Sequence, residues 1–242
     1  MMFINKAQGE AIPRIVQHKA LNPDLTMLSL SEEILLLALD DESGRLLPLP
    51  ERALDIALAA AVIMGLHNEG RIQVNPPSVS VLNNTPTGDI IFDEMLKDIE
   101  KHPQSKLSGH IHRVSGHANH IRKATLEGLV KKNILECKEE KIFWILPSKR
   151  YPVADNHEEV IAKERIRKVL IEGEQPKAWD IDMIALLDAC DLLHTLFSKK
   201  ELEAARERIK DIESRDPIGI TVIEAIADVQ HTFNEVLEHG TF

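Results

Sequence analysis

The sequence predicts a mainly α fold: a single globular helical domain with short β-hairpins over residues 25–242, after a partly flexible N-terminal arm over 1–24. Three observations predict it. Apolar residues recur at helical spacing through most of the chain, the stretch from Glu158 onward is helical in pattern throughout, and only 4% of residues are aromatic against 43% apolar, so the core is aliphatic. At 242 residues the chain is long enough to bury such a core without metal or disulfides. Cys137 and Cys190 stand apart from each other, with no CxxC spacing, and read as two core thiols in a reducing compartment.

The elements follow in order. The N-terminal "MMFINKAQGEAIPRIVQ" has no apolar h-region, so no secretory signal is expected. Ser31 with Glu32 and Glu33 opens a helix whose apolar run, Ile34 to Leu39, is closed by "DDESG". Ala53 to Leu66 is a second helix, rich in Ala and therefore closely packed. It carries Asp55 and is too short to span a bilayer. Strands are expected at Arg71 to Val74 and Val79 to Leu82, separated by Pro76 and Pro77.

"NTPTGDIIFDEMLKDIEK" joins a turn to an apolar periodic run, the position a phosphate-cradling loop would take. Its helix start, however, already holds Asp89, Asp93 and Glu94. The segment therefore reads as a capped helix presenting Ile91, Met95, Leu96 and Ile99 to the core. A loop-like polar link follows, then a helix from Ala118 to Lys132. "ILECKEEKIFWIL" reads as two short strands around a charged turn, and helices near 160–171, 181–196, 201–214 and 221–237 complete the chain.

The formal charge of −10 argues against general affinity for nucleic acid or anionic surfaces, but its distribution is uneven. Lys101 to Arg150 holds eleven Lys and Arg against four Glu, a local +7, and five of the eleven histidines. His110 and His112 form HxH, while His117 and His120 form HxxH. No carboxylate lies among them in sequence, so no metal site is expected and the histidines read as surface groups that gain charge in mild acid. With no GxSxG, no HExxH and no Cys beside a His, the chain reads as a non-enzyme without cofactors.

Arg122 is the most informative charge. It falls inside the apolar sector defined by Ile121, Thr125, Leu126 and Leu129, with Asn119 one turn earlier on the same side and Lys123, Glu127 and Lys131 facing water. A guanidinium on a packed face needs either an internal carboxylate or a bound anion. A helix followed by a hairpin also fits the recognition helix and wing of a DNA reader, although Gly128 and Leu129 stand where base-reading side chains are wanted. In "KIFWIL" both faces are apolar, so a second copy of the chain, a membrane or another part of the same fold must cover one of them, and Phe143, Trp144 and Ile145 are the expected membrane or oligomer contacts.

"LSLSEEILLLALDDESG", the Ala-rich helix running into Gly70, Arg71 and Ile72, "TPTGDIIFDEMLKDI", "LVKKNIL" before a hairpin, "KRYPV" and "SRDPIG" occur in this order in the Golgi phosphoprotein 3 family, which the chain resembles over nearly its whole length. The cropped N-terminus and the "KRYP" ending point to a bacterial member. The resemblance implies a helical, non-enzymatic peripheral membrane protein on the cytosolic face. It would bind an anionic phospholipid headgroup, phosphatidylinositol-4-phosphate in eukaryotic relatives, and hold membrane-protein tails, with homo-oligomers and no nucleic acid among its partners. The family's headgroup pocket uses a Trp, an Arg and two basic residues a turn apart; the matching positions here are Leu49 or Pro50, Ala59, Asn119 and Arg122. Only Arg122 keeps the family's chemistry. The expected site is therefore a largely altered anion pocket of Arg122 and Asn119, with Arg113 and Lys123 beside them.

Overall fold

Ser29 starts the first helix, α1 (Leu30–Leu37), by a reciprocal cap: its hydroxyl accepts the Glu32 amide at 3.2 Å while the Glu32 carboxylate accepts the Ser29 amide at 2.8 Å. The expected start at Ser31 is thus two residues late, because the glutamate that closes the box lies three residues after Ser29. In this computed structural model residues 28–50, 52–142, 146–216 and 218–227 are described, with 140–142 and 146–148 as backbone alone. The arm expected over 1–24 and the trio Phe143, Trp144 and Ile145 lie outside the described residues.

All eight residues of α1 are buried, and Gly44 explains why the chain can turn back so tightly after it. Gly44 has φ +62°, and a Cβ there would lie 2.2 Å from the Pro152 nitrogen, so only glycine lets "DDESG" pack against Tyr151 and Pro152. Helix α2 (Ala53–Asn68) follows from Arg52, whose φ of 56° places it in the left-handed region without a side-chain cap. Nearly every residue of α2 is buried. A helix apolar on all sides must be enclosed, and α1, a strand and several later helices surround it.

Strands β1 (Ile72–Asn75) and β2 (Ser78–Val81) pair antiparallel with Ile72 opposite Val81, as the sequence predicts to within a residue. Helix α3 (Ile90–Lys101) buries Phe92, Met95, Leu96 and Ile99. Phe92, rather than the expected Ile91, enters the core, where its ring lies over Gly65 of α2. The polar link expected next contains a helix, α4 (Leu107–Ser115). Leu107, Ile111 and Val114 give it one apolar face, but in nine residues interrupted by Gly109 that signal is too short to stand out from the sequence.

Helix α5 (Ala118–Lys131) buries Ile121, Thr125, Leu126 and Leu129, the sector predicted for it. The hairpin after it differs in register from expectation. Strands β3 (Lys138–Ile142) and β4 (Leu146–Arg150) pair with Lys138 opposite Arg150 and Glu139 opposite Lys149. The charged "KEEK" is therefore strand rather than turn, and the opposed charges of Glu139 and Lys149 suit that register. Cys137, just before β3, is exposed and so is not a core thiol; Cys190 is buried, and burial pushes its thiol pKa well above the usual value.

The remaining helices are α6 (His157–Leu170), α7 (Ala178–Ala189), the single turn α8 (Leu193–Leu196) and α9 (Lys199–Glu213), with residues 218–227 again helical. No helix among the described residues is long and apolar enough to cross a membrane. The mainly α class is as predicted, and buried charges hold its layers together. Glu33, 4% exposed, pairs with Arg165 of α6 and accepts the Trp179 indole N–H of α7 at 2.9 Å. Arg165 also meets Asp180 of α7 at 2.8 Å. Asn68 donates to Asp182 at 2.8 Å, joining the end of α2 to α7.

Two outcomes follow from these charges. Glu33→Ala leaves Arg165 and the Trp179 indole short of a buried acceptor and should lower unfolding free energy by about 3 kcal/mol, the low end for breaking a buried pair because Arg165 keeps some water; urea denaturation measures it. At the last residue of α9, burial and the neighbouring Asp188 carboxylate raise the Glu213 pKa from 4.5 to about 8. The helix C-terminus disfavours a carboxylate there as well. The folded state therefore holds this proton, a contribution fully present below pH 4.5 and lost as pH rises through about 8. Glu213→Gln should be progressively more stable relative to the unmodified chain as denaturation is repeated from pH 5 to pH 9.

Candidate functional site

Asn119, Arg122 and Lys123 occupy one stripe of α5, since residues three and four apart share a helix face. Asn119 and Lys123 are exposed, while Arg122 keeps 27% of its side-chain surface. Arg122 has drifted to the edge of the buried sector because Asp55, in the first turn of α2, engages its guanidinium through one Nη. Its Nε is buried without a hydrogen-bond partner, so the pair is one-pronged rather than the two-pronged fork that a guanidinium can form. Lys123 faces water and approaches Glu127 at 4.0 Å.

Arg52 approaches the same turn of α2 from its N-terminal side, donating through Nη2 to the Ser115 hydroxyl at 3.3 Å. Arg52 and Arg122 thus flank the start of α2, where unpaired backbone N–H groups favour negative charge. The sequence reading missed both Arg52 and the role of Asp55. A signal was available: Asp55 is the one charged residue in the run Ala53 to Leu66, and a charge in a fully packed helix must have a partner. Ala59 lies one turn beyond Asp55 on the same face of α2 and is fully buried, while Leu49 and Pro50 are half-buried.

Arg113 belongs to a different cluster. Its Nε donates to Asp98 of α3 at 3.1 Å and its Nη2 lies 2.8 Å from Nδ1 of His110. His110 is fully buried, contrary to the expectation that all five histidines are surface groups, and desolvation holds its pKa below the usual value. The carboxylates missing from the local sequence come from α3: Asp98 also meets His102 at 3.2 Å, and Glu94 lies 3.8 Å from His120. With Arg113, His117 and Ile91 they line a cleft of about 120 Å³. No metal-competent group of three such residues occurs among the described residues.

The "TPTGD" segment forms a satisfied helix start. Asp89 accepts the Ile91 and Phe92 amides at 2.8 and 3.1 Å, and Asp93 accepts the Thr87 amide and hydroxyl at 2.7 and 2.8 Å. Those Thr87 bonds hold the Asp93 pKa below the usual carboxylate range, so the turn carries fixed negative charge where a phosphate would have to sit. Between this turn, α1 and α5 runs a groove of about 460 Å³ bordered by Ser31, Glu32, Asp89, Gly128 and Lys132. Gly128 belongs there for packing reasons, because a Cβ would come within 2.9 Å of the Glu32 carboxylate.

The residues expected to contact a membrane or a second copy, Phe143, Trp144 and Ile145, lie outside the described residues. Comparison with known proteins bears on the whole arrangement. The vacuolar protein sorting-associated protein 74 of Eremothecium gossypii is 28% identical over 165 residues, 60% of this chain and 49% of the relative. The protein of the same name from Schizosaccharomyces pombe is 25% identical over 179 residues, 65% of this chain and 52% of the relative. The chain spans about half the length of these relatives. Residues 30–229, which take in the helices around α2 and the Asp55–Arg122 pair, match the Golgi phosphoprotein 3 (GPP34) family, and the chain belongs to that family.

Proposed function

We propose that this chain is a non-enzymatic peripheral membrane protein that binds an anionic phospholipid headgroup at the α5 stripe of Asn119, Arg122 and Lys123. The observation that carries the reading is Arg122, a guanidinium seated among buried apolar residues yet a quarter exposed, held by a single prong beside a helix N-terminus. Arg52 adds a second guanidinium at that turn, whereas Arg113 is engaged by Asp98 in a separate cluster. Family membership supports phosphatidylinositol-4-phosphate as the headgroup to try first, and the cytosolic face of a membrane as the place of action. The relatives' name, a vacuolar protein sorting-associated protein, supports a role in protein sorting.

The nucleic-acid reading on the same scaffold is weaker. Its recognition helix would be α5, yet α5 packs against α1 and α2, Leu129 is fully buried, and Gly128 lies against Glu32.

Vesicle sedimentation tests the proposal. The chain should pellet with phosphatidylcholine vesicles containing phosphatidylinositol-4-phosphate, and less so as salt rises, because partly exposed charges are screened. Arg122→Ala removes one charge-assisted contact of about 1.5–3 kcal/mol and should weaken binding by about tenfold or more while leaving far-UV circular dichroism unchanged. Pelleting that is insensitive both to Arg122→Ala and to salt would reject the site.

A further inference from the structure

The Asp55 carboxylate holds the Arg122 guanidinium that the proposed headgroup would need. Both side chains are about a quarter exposed, 25% and 27%, so the pair is open to a ligand from solvent yet only partly screened by it. Asp55 also stands in the first turn of α2, where the helix field favours its negative charge. It is therefore a well-placed internal anion that competes with an external one for the Arg122 guanidinium.

We infer, resting on the headgroup reading above, that Asp55 is the selectivity residue of this surface: an internal carboxylate that admits phosphomonoester headgroups and turns away singly charged ones. The physical reason is a comparison of charges on one guanidinium. Phosphatidylserine presents a phosphodiester and a carboxylate, each with a single negative charge. That matches what Arg122 already has from Asp55, and the exchange also leaves Asp55 without its partner. A phosphomonoester carries about −1.5 to −2 near neutral pH and three acceptor oxygens, so it outbids one carboxylate and can engage the guanidinium with two prongs. Arg52, three residues before Asp55, donates to Ser115 at 3.3 Å.

Asp55→Asn keeps an oxygen acceptor for Arg122 and removes the charge. Sedimentation is compared on phosphatidylcholine vesicles carrying either phosphatidylserine or phosphatidylinositol-4-phosphate at equal surface charge. The unmodified chain should prefer the phosphomonoester vesicles. Asp55→Asn should raise binding to the phosphatidylserine vesicles by about tenfold, equivalent to about 1.4 kcal/mol, and narrow the preference. Adding Arg122→Ala should abolish the gain. Glu203→Gln, an equal change of charge on the exposed side of α9, should not reproduce it. If Asp55→Asn fails to fold by circular dichroism, Asp55→Ser takes its place and carries the same expectation. An unchanged preference in a chain that still binds through Arg122 overturns the role of Asp55 alone. A gain that survives Arg122→Ala, or that Glu203→Gln matches, overturns it as well. Absence of any Arg122-dependent binding in both the unmodified and the Asp55→Asn chains removes the headgroup reading and this inference with it.

Discussion

Glu32 and Glu33, side by side in the first turn of α1, are buried, and a buried carboxylate is tolerable only with a cation or donor against it. Each finds its partner on a different helix. Glu32 meets Lys132 at the end of α5 at 2.6 Å, and Glu33 takes Arg165 of α6 together with the Trp179 indole of α7. The start of α1 thereby becomes the point at which three later helices are fixed. Their apolar faces supply most of the driving force, but that force is non-directional, and the charge pairs select which helix lies where.

The pose of α5 follows from this constraint. Lys132 ties its C-terminal end to Glu32, Gly128 lets the same carboxylate lie against its backbone, and Arg122 ties its N-terminal half to Asp55 on α2. The stripe of Asn119, Arg122 and Lys123 is thus presented by a helix held at both ends, which suits recognition of a small charged group more than a mobile loop would. The electrostatics of the surface follow as well. The segment from Lys101 to Arg150 looks strongly basic along the chain, yet acids from elsewhere sit against it: Asp98 on Arg113, Glu94 near His120, Asp55 on Arg122 and Glu32 on Lys132. With the local field so reduced, discrimination at the site depends on short-range pairing rather than on long-range attraction.

Reading the residues in order captured much of this fold. The capped start of α3 at Asp89, the enclosed Ala-rich helix, the short β1–β2 hairpin and the buried sector of α5 all follow from local chemistry: a carboxylate three residues from free amides, apolar residues on every side of one helix, turn residues between β-branched pairs. Arg122 was singled out for the same kind of reason, being a charge in an apolar sector. Helix α4 was missed because nine residues with three apolar positions carry too little periodicity. The strands around 143–145 were placed out of register because "KEEK" reads as a turn until its cross-strand partners are known.

The sequence by itself determined most of the helical segments, the faces they bury and the anomaly of Arg122 in an apolar sector, since these depend on neighbours within a few residues along the chain. Which carboxylate answers which cation was decided only by the tertiary structure. Asp55 and Arg122 are 67 residues apart, Glu33 and Arg165 132, and Glu32 and Lys132 100. Nothing local distinguishes one acid from another at such separations. The choice is made when α1 and α2 are enclosed, because the packing that buries them brings one particular acid within reach of one particular guanidinium and leaves neither enough water to stand alone.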